Sequence, residues 1–87
     1  MEGIYKFYWD RGRNGFLEGI FTAYEEDVLN IIGKRVYFGE VLGKHSEIDG
    51  DIDSKDITLI TKDKEAVQVF NGYSLECGYN PFDYLSE

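Results

Sequence analysis

The sequence predicts an α+β domain built on a mainly antiparallel β-sheet of about five strands, in the order ββαβββα, with two short helices and an aromatic C-terminal tail. Three observations predict it. Asn14-Gly15 sits between two runs of aromatic and β-branched residues. A second glycine-centred turn at Gly43-Lys44-His45 separates two further runs. Between and after these hairpins, the apolar period lengthens from that of a strand to that of a helix.

The first strand is Ile4 to Trp9, "IYKFYW". Asn14-Gly15 suits a type I′ turn, which needs positive φ at both central positions. The return strand is Phe16 to Thr22. That turn sets Arg13 opposite Phe16, Arg11 opposite Glu18, Trp9 opposite Ile20 and Tyr8 opposite Phe21. Phe7, Trp9 and Ile20 then share one face, and Ile4, Tyr8, Leu17 and Phe21 the other.

Thr22-Ala23-Tyr24-Glu25 fits a capping box. Glu25, Glu26 and Asp27 suit the positive end of a helix dipole. Val28, Leu29, Ile31 and Ile32 supply an apolar stripe, and Gly33 a stop. A helix over Tyr24 to Ile32 follows. Arg35 to Leu42 and Ser46 to Asp53 form the second hairpin. A loop of Gly43-Lys44-His45 sets Leu42 opposite Ser46, Phe38 opposite Gly50 and Val36 opposite Ile52. This register gathers Val36, Phe38, Leu42, Ile48 and Ile52 on one face, which the alternative loop does not. Asp56 to Thr61 is another strand, and Asp63 to Phe70 a second helix with Ala66, Val67 and Phe70 on one side. Both helices are expected on one face of the sheet. From Asn71 onward Pro81 argues against regular structure, yet Tyr79, Phe82, Tyr84 and Leu85 are too apolar for a free tail.

Eighty-seven residues make a single domain spanning 1–87. Its core is small, so association with a second copy is an expected source of stability. One cysteine, Cys77, allows no internal disulfide and fits a reducing cytosol. No basic, apolar leader opens the chain and no apolar run is long enough to span a bilayer, so a cytoplasmic location with no membrane partner is expected. The net charge of −8 repels a nucleic-acid backbone and argues against nucleic acid as partner. Solubility alone accounts for that charge; a basic protein partner or mimicry of nucleic acid would also use it.

"DGDID" has the look of a metal loop, but position six from Asp49 is Ser54 and position twelve is Ile60, so the calcium-loop pattern fails and no metal is expected. Alternating acids on a strand more often guard an edge. His45 and Ser46 are neighbours and would point to opposite faces, so they make no dyad. No nucleophile signature surrounds Cys77 and no glycine-rich cofactor loop is present. The chain reads as a non-enzyme without cofactors. Glu40 falls on the apolar face and calls for an ionic partner, an arginine rather than a substrate.

The first hairpin carries apolar residues on both faces. The surplus face calls for a cover: the aromatic tail, a second subunit or a flat ligand such as a base. Arg11, Arg13 and Lys44 lie at hairpin ends, where cations can reach a phosphate. Tyr8 and Trp9 could stack a base, and His45 and Ser46 could add hydrogen bonds. Each has a plain alternative: a solvated loop tip for Lys44 and His45, ion pairs with Asp10 and Glu18 for the arginines.

"YKFYWDRGRNGFLEGIF", "VYFGEVLGKHSEIDG" and the closing "GYNPFDY" together resemble a group of small proteins of phages and mobile elements. The resemblance spans most of the chain. It implies a non-catalytic counter-defence protein of the host cytosol. Such proteins bind a host enzyme or, as small oligomers, sequester a nucleotide signal. The leading expectation is a protein that sequesters a small anionic, nucleotide-like molecule; the alternative, drawn from the acidic residues, is an acidic inhibitor of a host defence enzyme that could mimic nucleic acid. The strip Glu47, Asp49, Asp51, Asp53 and Asp56 would serve the second role.

Overall fold

The computed structural model describes residues 1–43 and 47–86. It shows the expected α+β fold: β1 (Glu2–Asp10), β2 (Phe16–Tyr24), α1 (Glu25–Ile31), β3 (Arg35–Gly39), β4 (Ile48–Asp51), β5 (Ile57–Thr61), α2 (Lys64–Gly72) and a short β6 (Cys77–Gly78). The strands form two sheets, not one. Four make a sheet in the order β5-β1-β2-β6, and β3 pairs with β4 in a second. All pairings are antiparallel.

The β1–β2 register corrects the expectation. Tyr8 faces Glu18, not Phe21; Trp9 faces Leu17, not Ile20; and Asp10, not Arg13, faces Phe16. Asn14-Gly15 does not close the hairpin. Residues Arg11 to Gly15 form a longer loop around a 3₁₀ turn at Gly12–Asn14. The Arg11 N–H donates to the Gly15 carbonyl at 2.8 Å and the Gly15 N–H to the Gly12 carbonyl at 3.1 Å. Asp10 Oδ1 accepts the Gly12 N–H at 2.9 Å, while Gly12 (φ +64) and Gly15 (φ +108) take the left-handed backbone that such a loop demands. Two glycines and an aspartate outcompete the tight turn.

That displacement brings Leu17 and Phe21 onto the face of Tyr5, Phe7 and Trp9. Tyr5, Phe7 and Trp9 now stand beside Leu17 and Phe21, all buried. The β3–β4 sheet closes over them. Phe38 packs 5.6 Å from the rings of both Phe7 and Trp9, with Val36, Ile48 and Ile52 around it. The second hairpin is also displaced: Val36 faces Gly50 and Tyr37 faces Asp49, and the ladder shifts before Gly39 meets Ile48. The displacement is two residues from Arg35 through Tyr37, so Val36, Phe38, Ile48 and Ile52 still share the buried face as expected. Gly50 is the accommodating residue, since a Cβ there would stand 3.3 Å from the Trp9 ring.

The helices lie on opposite faces of the larger sheet, not on one. Val28 and Ile31 of α1 join the main core. Helix α2 covers the other side, where Thr22 Oγ1 donates to Asn71 Oδ1 at 2.9 Å and Asn71 Nδ2 donates to Glu2 Oε2 at 3.3 Å. The Thr22 capping box does not form, because β2 runs on to Tyr24 and Thr22 is held by Asn71. The Glu25 N–H is instead satisfied by the Met1 carbonyl at 3.1 Å.

The tail is more ordered than Pro81 led one to expect. Cys77–Gly78 adds a strand to β2, and Pro81 opens a 3₁₀ turn over Pro81–Tyr84. Proline suits that first position because its missing N–H has no partner to lose. Tyr79, Phe82 and Tyr84 pack onto the core, with Tyr84 4.6 Å from the Phe38 ring and Phe82 5.8 Å from Phe21. Gly19 and Gly78 make this docking possible. A Cβ on Gly19 would collide with the Tyr79 backbone, and one on Gly78 with the carbonyl of Glu18.

Candidate functional site: an acidic groove beside the first hairpin

Where the end of β1 meets β4 and the turn that follows, the surface holds a groove of about 640 Å³. Its walls are Tyr8, Trp9, Asp10 and Arg11 on one side and Gly50, Asp51, Asp53, Lys55 and Asp56 on the other. Four carboxylates therefore face two cations. Asp53 and Asp56 are fixed by a capping box around Ser54–Asp56: Asp53 Oδ1 accepts the Lys55 N–H at 3.2 Å, and Asp56 Oδ2 accepts the Asp53 N–H at 2.8 Å. Asp10 is held by its bond to Gly12. Each carboxylate retains a second oxygen for a visitor.

The acidic face continues along the outer side of the smaller sheet. Arg35 Nη2 binds Asp49 at 2.8 Å, and Nη1 lies 3.5 Å from Asp51. The Asp49 carboxylate is the main cause that holds the Arg35 guanidinium above its ordinary pKa, Asp51 adding less. Tyr37 donates to Glu47 at 3.0 Å, and this bond raises the phenol above its ordinary pKa. The strip Glu47, Asp49, Asp51, Asp53 and Asp56 therefore forms one surface, partly neutralised at its centre by Arg35.

Of the residues expected to hold an anionic ligand, Tyr8, Trp9 and Arg11 meet in the wall of this groove, where they stand among carboxylates. Trp9 is buried in the core, and the Arg11 guanidinium lies 5.2 Å above its ring. Trp9 is therefore no free stacking platform, and Arg11 is committed to a cation–π contact within an acidic groove. Arg13 is exposed on the loop and lines no part of the groove. Lys44, His45 and Ser46 lie outside the described residues. Tyr8 remains exposed and pairs with Phe16, their centroids 5.7 Å apart. This ring pair is what is left of the surplus face. The rest of that face carries the Lys6–Glu18 ion pair at 3.8 Å.

Sequence reasoning missed Asp10, Lys55 and Phe16. Asp10 was legible in principle, because Asp-x-Gly is an Asx-turn pattern. Among the described residues, no group of three or more His, Cys, Asp or Glu side chains is placed to hold a metal ion, and no helix is long and apolar enough to cross a membrane. Compared with known protein families, curated proteins and solved structures, the chain matches none of them.

Proposed function

We propose that this protein is a non-catalytic binding protein that engages a basic partner protein through the acidic groove and the strip beside it. One observation carries the reading. The groove at the end of β1 gathers Asp10, Asp51, Asp53 and Asp56 around an aromatic wall, with Arg11 and Lys55 in the same lining and Arg35 3.5 Å from Asp51. An arginine or lysine side chain suits that lining. Its head meets carboxylates and its stem lies along Tyr8. A phosphate would be repelled by the same four groups. Together with the likeness to small phage proteins, this makes a host defence protein of the cytosol the partner we propose.

The experiment is calorimetry of the full chain against arginine-rich peptides over a range of salt. Asp51→Asn, Asp53→Asn and Asp56→Asn together keep the shape and the capping acceptors while removing charge. Binding that weakens with salt and is lost in the triple variant supports the reading. Salt-independent binding, or binding unchanged by the variant, refutes it. The exposed Tyr8–Phe16 pair favours a second reading, capture of a nucleotide-like anion on the hairpin end. Nucleotides and cyclic nucleotides in the same titration test it. Heat that disappears in Phe16→Ser and Arg13→Ala would establish that alternative.

A further inference from the structure

In the sheet order β5-β1-β2-β6, β5 hydrogen-bonds to β1 alone, so among the described residues its outer edge is open. That edge is not blunted by charge, and its ladder with β1 carries one irregularity, where Ile4 faces Thr61 and Tyr5 faces Leu59, so that Ile60 has no partner on β1. Ile57–Thr61 reads Ile-Thr-Leu-Ile-Thr, with Thr58, Leu59 and Ile60 all exposed. Leu59 and Ile60 keep 43% and 50% of their surface in solvent. An open, uncharged, apolar edge is a template for another strand.

The flanks say which strand. The segment from residue 55 to 63 reads Lys-Asp, then the five uncharged residues, then Lys-Asp. We propose that a second copy of this chain pairs with it, β5 against β5, antiparallel about a two-fold axis at Leu59. In that register Ile57 faces Thr61 of the other copy, and Thr58 faces Ile60. Beyond the strand, Lys55 and Asp56 of one copy come to the end where the other presents Asp63 and Lys62. Each end therefore gathers opposite charges, Lys62 being shared with Glu25 of its own chain. Parallel pairing would set Asp56 beside Asp56 and Lys62 beside Lys62. The segment also sums to zero charge in a chain of net charge −8, so two copies meet little repulsion along it. The interface is isologous and closes at two copies, joining the four-stranded sheets into one continuous sheet. It places self-association away from the first hairpin, where the core has taken Tyr5, Phe7, Trp9 and Phe21 and left Tyr8 and Phe16 exposed.

Sedimentation equilibrium of the full chain across the micromolar range tests the proposal. Twice the chain mass is expected. Ile60→Lys places a charge on the paired edge without touching the core, and should raise the dimer dissociation constant about tenfold or more. Its far-ultraviolet dichroism should stay that of the parent. Leu59→Cys in a Cys77→Ser background should be joined into dimers by a short bifunctional maleimide, whereas Phe16→Cys in that background should not. A monomeric parent chain overturns the proposal. So does a dimer that survives Ile60→Lys, or one cross-linked through Phe16→Cys and not Leu59→Cys.

Discussion

In the β1–β2 hairpin nine residues pair with nine. In the β3–β4 hairpin the strands are five and four residues long, and the ladder shifts within them. The first presents five large buried side chains to the core. The second presents fewer to the core and aspartates and Arg35 to solvent. Both obey the period of two, so the difference lies in what the outer face is asked to do. The first hairpin's outer face is covered by α2 at one end and tied by Lys6 and Glu18 along its length. The outer face of the second stays open and acidic. The first hairpin holds the fold, and the second, with the turn that follows it, holds the surface through which we propose the protein acts.

Four changes test that division. The largest effect belongs to the first hairpin. Phe7 is fully buried between Trp9 and Phe38, so Phe7→Ala should cost about 3–5 kcal/mol in denaturant unfolding, which most of a small domain's stability cannot withstand. Gly19→Ala comes next. Its Cβ would force the Tyr79 backbone away, at about 1–3 kcal/mol for such crowding. Hydrogen exchange should then show the Cys77–Gly78 amides losing protection while those of β1 keep theirs.

The second hairpin should respond in binding and titration, not in folding. Arg35→Met removes the cation between Asp49 and Asp51. An exposed pair contributes little to stability, so the thermal midpoint should hardly move, while affinity for a basic peptide rises. A fall in that affinity would make Arg35 a contact rather than a neutraliser. The smallest effect is a titration. Glu47 raises the Tyr37 phenol, so the hydrogen bond's contribution is present below the ordinary phenol range and is lost as pH rises through the elevated value. Glu47→Gln should bring the Tyr37 ring resonance back toward the ordinary range in an alkaline nuclear magnetic resonance titration.

A fifth change lies outside both hairpins. Lys62 binds Glu25 at 2.9 Å and lowers the carboxyl below its ordinary range, first through the hydrogen bond and then through charge. A depressed carboxylate stabilises above its unfolded pKa and loses that contribution as pH falls through the folded one. Lys62→Met should therefore reduce the loss of thermal stability on acidification.

Much of the fold was legible because it depends on parity and composition. The strand and helix order came from apolar period, and the buried face of β3 and β4 survived a displaced register because the error was even. The first hairpin's faces did not survive, because the error there was odd. Asn14-Gly15 looked like the turn, while Asp10, Gly12 and Gly15 together built a longer loop. Competition among turn residues is settled by hydrogen bonds that no single dipeptide displays. The same odd error produced an aromatic platform around Trp9 that the structure places inside the core. The acidic strip was legible as residues spaced two apart. Its junction with Asp10 was not, since the two lie on different sheets and meet only through tertiary packing.

The protein contains a single tryptophan, and the packing makes it an optical gauge. The Trp9 indole lies between the core and the groove, edge-on to Phe38, under the Arg11 guanidinium and against Gly50. Unfolding would shift its emission to the red as water reaches the ring. A guest in the groove that displaced Arg11 would alter its intensity without that spectral shift. One unlabelled fluorophore thus separates loss of structure from occupancy of the site.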